Sequence, residues 1–385
     1  MLDIPQQNLR TLARQFALSE LMPGAAQRDR EALFPKDAFA AMAHLGLMGM
    51  LVPSEFGGIG VDHVSYVLAI TEIAAADGAA STALQVHNGL TCLAVLKYGS
   101  AQQKQRFLRP LAEGKWLGAF CLTEPEAGSD ASAITMRARR EGDKFVLNGV
   151  KHFITSGSNA DVVVAFAVTN PDAQKNRISA FIVPTRTPGY LVTAVQHTMG
   201  QRSGDHCQIA FDNCEISSDQ LLGNEGQGLE IALASLELGR LGVAAQSIGM
   251  ARAAFDLALA YAKRRRTFGR PIIEHQAVSF QIADMATSLQ AAELMVLHAA
   301  RLRDAGRPSS KEGSMAKLFA ADVAEQICND AIQIHGGYGY LDDCPVGRIY
   351  RDVRVCKIYE GTSEIQRLVI GRHLASEQGF SGAGG

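Results

Sequence analysis

The segment Ile358-Tyr359-Glu360-Gly361-Thr362-Ser363-Glu364 places a carboxylate directly before a glycine near the carboxyl end of the chain. Because glycine has no Cβ, backbone and ligand can approach each other closely at Gly361. Short turns rich in small polar residues are also common on protein surfaces. The heptapeptide therefore needs support from other segments before it indicates a functional site.

Two longer motifs lie upstream and give this support. The first is Cys121-Leu122-Thr123-Glu124-Pro125-Glu126-Ala127-Gly128-Ser129-Asp130, and the second is Gln333-Ile334-His335-Gly336-Gly337-Tyr338-Gly339-Tyr340, followed by Asp343, Arg348 and Asp352. In this order and spacing the chain resembles the acyl-CoA dehydrogenase family of flavoenzymes, nearest to its short-chain and branched-chain members. The resemblance implies FAD-dependent conversion of a saturated acyl-CoA to a trans-2-enoyl-CoA, with electron-transfer flavoprotein as electron acceptor.

The composition favours a soluble globular enzyme. The chain has 385 residues, of which 47% are hydrophobic, and a formal net charge of -2. This length allows two or three packed domains. The charge balance lacks the basic field on which nucleic-acid affinity depends, so DNA or RNA is disfavoured as a partner. The seven cysteines are scattered, and His206-Cys207 with Cys214 lacks the usual zinc spacing, so no metal site is predicted.

No segment predicts export or membrane insertion. The start, Met1-Leu2-Asp3-Ile4-Pro5-Gln6, lacks the positive residues and apolar core of a secretory signal. The longest uncharged run, Gly78 to Leu96, is interrupted by polar residues, including Gln85 and His87, so it predicts a buried helix rather than a membrane span. We therefore expect a cytoplasmic protein with reduced thiols.

Changes in the hydrophobic period predict three domains in a mainly α-helical chain. Helical spacing predicts an N-terminal α-helical domain over 1–117 and a C-terminal four-helix bundle over 226–385, with a disordered tail at 381–385. Between them a middle β-domain, barrel-like in this family, covers 118–225. Its predicted strands are 118–122, 134–139, 144–148, 161–168 and 177–183, and Glu141-Gly142-Asp143 supplies a hairpin turn.

Two apolar stripes define helices of the bundle. The first contains Ile282, Met285, Ala286, Leu289, Ala292 and Val296, and the second contains Phe319, Ala320, Val323, Ile327, Ala331 and Ile334. We expect the second helix to begin with a capping box formed by Ser309 and Glu312 and to end at Gly336-Gly337.

The family resemblance implies that the middle domain holds the flavin ring. The implied contacts on the first motif are Phe120, Leu122, Thr123, Gly128 and Ser129. Thr123 and Ser129 are the hydroxyl donors, and Ser129 also approaches the substrate. A second group, Phe153, Ile154 and Thr155, stands where the family usually begins with tryptophan. Phenylalanine keeps an apolar face for the flavin but loses the indole N–H donor.

A third group of implied FAD contacts lies in the C-terminal part of the chain, where Arg265 and its neighbours resemble residues that reach FAD bound mainly by another subunit. It contains Arg265, Thr267, Phe268, Gln276, Gln333, Ile334, His335, Gly336, Gly337, Thr362, Ser363 and Glu364. Arginine suits the pyrophosphate because its planar fork can bind two oxygens. If these contacts carry over, the protein is a homo-oligomer, most often a tetramer in the family. The alternative for Lys263 to Arg266 is a solvated basic helix end.

Glu360 is the residue that the resemblance implies as catalytic base. It removes the α-proton of the thioester while flavin N5 accepts the β-hydride, and the thioester oxygen is bound by the Glu360 backbone N–H and a ribityl hydroxyl. We expect burial to raise the pKa of this carboxylate. Some relatives carry the base at the position of Gly239, which has no side chain here. His335 and His152 are expected to be structural.

Substrate contacts are implied at Glu237, Arg240, Tyr359 and Gly361. Glu237 and Arg240 lie three apart on one helix face and resemble the family's acid-x-x-Arg pair for the CoA end, although a simple ion pair within the helix is the alternative. Tyr359 favours straight or modestly branched acyl chains. Two rival functions stay open: an oxidase or monooxygenase that uses oxygen, and a flavin-containing binding protein without catalytic activity.

Overall fold

The computed structural model describes residues 2–376. The predicted disordered tail at 381–385 lies outside the described residues. The first part of the chain is helical: α1 Ile4–Phe16, α2 Ala25–Glu31, α3 Lys36–His44, α4 His63–Ala76, α5 Gly78–Gln85, α6 Leu93–Tyr98, α7 Ala101–Gln103 and α8 Arg109–Ala112. Three π-helical segments interrupt the series, at Ala17–Leu21, Val86–Cys92 and Lys104–Leu108. As predicted, the run from Gly78 is helical and buried.

The middle part of the chain forms one eight-stranded sheet. Its strands are β1 Gly118–Cys121, β2 Arg137–Glu141, β3 Lys144–Thr155, β4 Val162–Val168, β5 Ile178–Pro184, β6 Tyr190–Val195, β7 His206–Ser217 and β8 Leu221–Leu222. They pair in the order β6-β7-β3-β2-β4-β5-β8, and β1 lies parallel to β4. The predicted hairpin is confirmed, because Glu141 pairs with Lys144 and Gly142 adopts a φ of 61° in the turn.

The last part of the chain returns to long helices. These are α9 Gly228–Arg264, α10 Gln276–Asp304, α11 Ser310–His335, α12 Pro345–Val353 and α13 Ser363–Ser376, with the short strands β9 Arg266–Thr267 and β10 Arg270–Pro271 after α9. Helix α9 is long and apolar enough to cross a membrane, but 78% of its apolar window is buried inside the protein. It is the central core helix of the bundle.

The two helical parts share one hydrophobic core. Helix α4 packs on α9, so that Ile70 and Val67 join Ala244 and Ile248 in a continuous apolar cluster. A second cluster lies between one face of the sheet and the helices around Phe107, and a third fills the opposite face of the sheet. In this shared packing, α5 and the π-helical segment Val86–Cys92 that follows it lie against α9. The positions of the domain boundaries themselves stay a prediction.

Some local expectations were wrong. Ala286 and Phe319 are exposed, because each stands at the edge of a stripe whose other members face the core. Ser309 makes no capping hydrogen bond, since its backbone does not adopt the extended conformation that places a cap side chain over the first turn. Strands β6, β7 and β8 were not predicted.

A buried carboxylate ties three helices of the shared core. Glu72 on α4 has a side chain only 3% exposed, and it pairs with Arg10 of α1 at 2.8 Å and with Arg252 of α9 at 2.6 Å. Removing one member of a buried ion pair leaves the other charge uncompensated. Glu72→Gln is therefore expected to lower the free energy of unfolding by about 3 kcal/mol.

Chemical denaturation followed by circular dichroism measures this loss, and Glu113→Gln is the matched control. Glu113 pairs with Lys115 and Arg109, both of which are exposed, so its replacement should cost less than about 1 kcal/mol. Equal losses for the two variants would contradict the assignment of Glu72 as a buried anchor.

Candidate active site

Glu360 lies on a sharp turn between α12 and α13. Its φ is 52°, in the left-handed region that residues with a Cβ rarely adopt, and Gly361 follows with a φ of 90°. Such a conformation costs about 1–3 kcal/mol and persists only where the surroundings hold it. Three side chains do so: Lys317 Nζ and Gln366 Nε2 donate to the Gly361 carbonyl at 2.7 and 2.8 Å, and Tyr359 Oη donates to Gln246 Oε1 at 2.6 Å.

The Glu360 carboxyl group has one partnered and one unpartnered oxygen. Gln85 Nε2 donates to Oε2 at 3.2 Å, whereas Oε1 is inaccessible to solvent and has no partner among the described residues. Burial raises the pKa of Glu360 to about 7, and the Gln85 hydrogen bond and the cations of Lys317 and Arg240 oppose the rise. A carboxylate with this pKa can accept a proton near neutral pH.

Gly239 on α9 creates the space that this carboxylate occupies. A Cβ built on Gly239 would overlap Glu360 Oε2 and would lie 3.0 Å from Leu90 Cδ2. The space that a side chain at position 239 would take is therefore filled here by the carboxyl group of Glu360.

Lys317 is a fully buried cation beside the turn. Its side chain lies on the core face of α11 and donates to the Gly361 carbonyl. Burial lowers its pKa to about 8, and the neighbouring Glu360 carboxylate opposes this fall. Lys317 therefore both fixes the turn and stabilises the ionised form of Glu360.

Arg240 lies one residue beyond Gly239 and is directed towards α11. Its Nη1 donates to Ser310 Oγ at 3.4 Å and Ser314 Oγ at 3.2 Å, while the buried Nε has no partner among residues 2–376. Burial lowers the pKa of Arg240, and the negative charge of Glu237 opposes the fall. Glu237 is half-buried on the same helix.

A chain of buried hydrogen bonds connects the turn to all three parts of the protein. Tyr359 bonds Gln246, Gln246 Nε2 donates to Thr82 Oγ1 at 3.2 Å, and Thr82 Oγ1 donates to Gln201 Oε1 at 2.6 Å. Gln201 in turn contacts Asp352 through its backbone N–H and side chain. The residue before Glu360 is thereby fixed relative to α5, the β-domain and α12.

The β-domain brings two of the predicted flavin segments together. The backbone N–H of His152 donates to the Thr123 carbonyl at 2.8 Å, so the end of β1 lies beside the end of β3. Next to this contact Phe153 adopts a φ of 58°, is 61% exposed and stacks on His152 with ring centres 4.1 Å apart. The result is an exposed aromatic face beside a polar strand end.

Other residues of these segments lie differently. Phe120, Leu122 and Ile154 are buried in the β-domain cores, so only their backbone groups can reach a ligand. Gly128 and Ser129 are exposed, and Thr155 is half-buried with its hydroxyl 3.3 Å from His206 Nδ1.

An open cleft of about 460 Å³ joins the end of α9 to the end of α11. It gathers six of the residues predicted to contact cofactor, namely Arg265, Thr267, Ile334, His335, Gly336 and Gly337. Tyr261, Ile272, Tyr338 and Leu341 complete its lining. The Arg265 guanidinium lies 5.9 Å from the Tyr338 ring centre. The β-domain segments do not line this cleft.

The remaining predicted contacts do not line this cleft. Phe268 is 96% exposed with a φ of 47°, and Gln276, Gln333 and Glu364 are also exposed. Thr362 is half-buried and accepts a hydrogen bond from the Ile365 backbone, whereas Ser363 is buried with an unpartnered hydroxyl among the described residues. His335 bonds the Ala331 carbonyl and stacks on Tyr261, as expected for a structural histidine.

Sequence reasoning missed Lys317 and Gln85 as site residues. Lys317 interrupts a run of alanines on the buried face of α11, and Gln85 interrupts the apolar run from Gly78. A lone polar residue on a buried helix face was the signal in both cases.

Comparison with known proteins matches all three parts of the chain to one family. The N-terminal, middle and C-terminal domains of acyl-CoA dehydrogenase match residues 5–115, 119–214 and 226–375. The chain belongs to the acyl-CoA dehydrogenase family. The predictions of this family, of an enzyme of the acyl-CoA dehydrogenase class and of its three-part fold are thereby confirmed.

Curated relatives match over almost their whole length. The chain is 46% identical to an acyl-CoA dehydrogenase of Bacillus subtilis, covering 95% of this chain and 97% of the relative. It is 45% identical to the mitochondrial short-chain specific acyl-CoA dehydrogenase of Mus musculus, covering 97% and 91%. The family assignment therefore rests on full-length similarity.

Two solved structures share the fold closely. Butyryl-CoA dehydrogenase from Megasphaera elsdenii is 37% identical with a TM-score of 0.96, covering 97% of this chain and 99% of that chain. A chain from a study of the electron transferring flavoprotein of Acidaminococcus fermentans is 41% identical with a TM-score of 0.97, covering 98% and 99%.

The space at Gly239 gives a test of the acyl-CoA dehydrogenase site. In Gly239→Ala the new methyl group must displace the Glu360 carboxylate, so we expect kcat to fall by about 100-fold, the usual cost of an ångström of misplacement. Steady-state kinetics with a short-chain acyl-CoA measures the loss. The control is Gly371→Ala in α13, where a Cβ meets nothing within 4 Å. Undiminished kcat in Gly239→Ala would contradict the described packing.

Proposed function

We propose that this protein oxidises short-chain saturated acyl-CoA thioesters to trans-2-enoyl-CoA, with Glu360 as the base that removes the α-proton. One observation carries the proposal: a buried carboxyl group on a left-handed turn, with a pKa raised to about 7 and one oxygen that has no partner among the described residues. A group of this kind is suited to proton abstraction in a site closed to water.

The turn also offers a donor for the thioester oxygen. No acceptor for the Glu360 backbone N–H is found among residues 2–376. A thioester carbonyl bound to this N–H would have its α-proton acidified as negative charge develops on the oxygen. The same residue would then bind the carbonyl through its backbone and receive the proton through its side chain.

The exposed groups fit FAD as the cofactor. The Phe153 ring offers an apolar face for an isoalloxazine, Thr123 and Ser129 offer hydroxyl groups, and Arg265 offers a guanidinium for phosphate at the cleft. When bound, FAD supplies the acceptor for the hydride that leaves the β-carbon. The structure of a related glutaryl-CoA dehydrogenase from Mycobacterium smegmatis in complex with FADH2 supports this choice.

The cofactor groups also favour a homo-oligomer. The cleft at Arg265 and the exposed Phe268 stand apart from the β-domain segments, so a second copy of the chain would supply them to a shared FAD site, as in the tetramers of the family. Exposed aromatic side chains such as Phe268 and Tyr340, which is 90% exposed, suit burial against such a copy. Electron-transfer flavoprotein is the proposed electron acceptor, and the cytoplasmic location stays a prediction.

The short-chain preference rests on two kinds of support. Relatives named short-chain specific acyl-CoA dehydrogenase and butyryl-CoA dehydrogenase are similar over nearly the whole chain. In addition, Leu90 Cδ2 lies 3.0 Å from where a Cβ on Gly239 would stand, and Gln85 Nε2 lies 3.2 Å from Glu360 Oε2, so both side chains occupy space beside the carboxyl group. CoA would be held at Arg240, whose buried Nε has a free donor direction among the described residues.

Glu360→Gln tests the base. The amide cannot accept the α-proton, so the variant should retain FAD and bind butyryl-CoA yet lose nearly all turnover. Anaerobic titration with saturated acyl-CoAs of increasing length, followed by loss of oxidised-flavin absorbance, measures this. Glu113→Gln is the matched control and should bleach as the unmodified protein does. Bleaching that persists in Glu360→Gln would reject the base, and fast turnover on oxygen alone would favour the oxidase.

The pH dependence gives a second test. Glu360 must be ionised to accept a proton, and burial raises its pKa to about 7. We therefore expect kcat/KM for butyryl-CoA to rise tenfold per pH unit below about 7 and to level off above it, since kcat/KM reports the free enzyme. A profile already flat from pH 5 would contradict a raised pKa for the base.

Arg265→Ala tests the shared cofactor site. Loss of the guanidinium should weaken FAD retention and the oligomer together, which flavin content after gel filtration and light scattering measures. Arg264→Ala removes a neighbouring exposed arginine that does not line the cleft. Equal flavin content in both variants would count against the cleft as part of the FAD site.

A further inference from the structure

A buried glutamine, Gln85, lies against the Glu360 carboxyl group without a role in the chemistry described above. Gln85 is the last residue of α5, at the point where this helix widens into the π-helical segment Val86–Cys92. π-helical turns within α-helices occur frequently at functional sites. The Gln85 side chain is fully buried, so protein groups or a ligand must satisfy its carboxamide.

The carboxamide is satisfied on one side only. Its Nε2 lies 3.2 Å from Glu360 Oε2 and 3.4 Å from the Gly239 carbonyl oxygen. Its Oε1 has no partner among the described residues, and neither has Glu360 Oε1. Gly242 leaves room for the Gln85 side chain to reach Glu360, because a Cβ on Gly242 would overlap Gln85 Cγ. The packing thus brings a donor and a spare acceptor to a carboxyl group that must change protonation state.

We propose that Gln85 is a positioning residue that holds the Glu360 carboxyl group both before and after proton abstraction. While Glu360 is ionised, the Gln85 amide donates to Oε2. Once Glu360 has taken the α-proton on Oε1, Oε2 becomes the carbonyl oxygen of the acid and still accepts from the Gln85 amide. One hydrogen bond can therefore persist through both protonation states, because a carboxylate oxygen and the carbonyl oxygen of a carboxylic acid both accept hydrogen bonds. The inference rests on the proposed role of Glu360 as the base.

The two cations that face Glu360 donate hydrogen bonds to other groups. Lys317 from α11 donates to the Gly361 carbonyl, and Arg240 from α9 donates to Ser310 and Ser314. Burial and the negative charge of Glu360 raise the pKa of the Tyr66 phenol on α4, so Tyr66 stays neutral. Both cations favour the ionised carboxyl group but have no acceptor to offer its protonated form. Among the described residues, Gln85 is the side chain that donates a hydrogen bond to the Glu360 carboxyl group.

The test compares Gln85→Leu and Gln85→Glu as FAD-loaded proteins. Leucine keeps much of the volume but removes the hydrogen bond, so the apparent pKa in the kcat/KM profile with butyryl-CoA should rise by about one pH unit. Glutamate places a second carboxylate beside Glu360, so the rise should be larger. In both variants kcat should fall more than KM changes, because the carboxyl group is misplaced while the CoA contacts are intact.

Gln103→Leu is the matched control. Gln103 is another buried glutamine, and its Nε2 bonds the carbonyl oxygens of Asp219 and Leu221 far along the chain from Glu360. Its replacement removes buried hydrogen bonds and should lower thermal stability without moving the pH profile. A merely structural role for Gln85 would give this same pattern.

The outcomes separate this inference from the proposed function. Unshifted profiles in both Gln85 variants, or a change confined to KM, would overturn the inference while an inactive Glu360→Gln still supported the base. Turnover retained by Glu360→Gln would overturn the base and the role of Gln85 together. If Gln85→Leu does not fold, Gln85→Glu, which matches glutamine in size, decides the question.

Discussion

The site depends on a backbone conformation that would be unfavourable in isolation. Glu360 has a φ of 52°, and the turn persists because Lys317 and Gln366 both bond the Gly361 carbonyl while Tyr359 is fixed through Gln246. A buried cation and several buried hydrogen bonds offset the free-energy cost of the left-handed conformation at Glu360. This backbone conformation directs the Glu360 side chain into the interior, where its carboxyl group lies beside Gly239 of α9.

The long-range packing of the fold serves the same purpose. Helices α4 and α5 share a core with α9, so Gln85 and the carboxyl group of Glu360 meet across a helix that carries Gly239 and Gly242. Two small residues in the middle of a 37-residue helix lower its intrinsic stability, and burial of most of that helix offsets the loss. Because the cost of burying Glu360 is only partly offset by Gln85, Lys317 and Arg240, its pKa settles near 7.

The sequence predicted elements whose pattern is local and missed those that depend on distant partners. The bounds of α11 and the turn at Gly142 followed from stripes and turn residues. The sequence of β6 gave no such signal, because most of its residues are exposed. In β7 buried and more exposed residues alternate over much of the strand, but this strand was not predicted either. No local pattern predicts that Lys317 bonds a carbonyl 44 residues away. The environment of Glu360 is likewise made by residues far apart in the chain, so its identity as a candidate base came from motif resemblance.

A crystal structure of the FAD-loaded protein with a non-oxidisable butyryl-CoA analogue would test the central claim most directly. The account predicts that a Glu360 carboxyl oxygen lies about 3–3.5 Å from the α-carbon, that the thioester oxygen accepts from the Glu360 N–H, and that Gln85 contacts the other carboxyl oxygen. An α-carbon that faces a different carboxylate, or a Glu360 side chain turned away from the thioester, would contradict it.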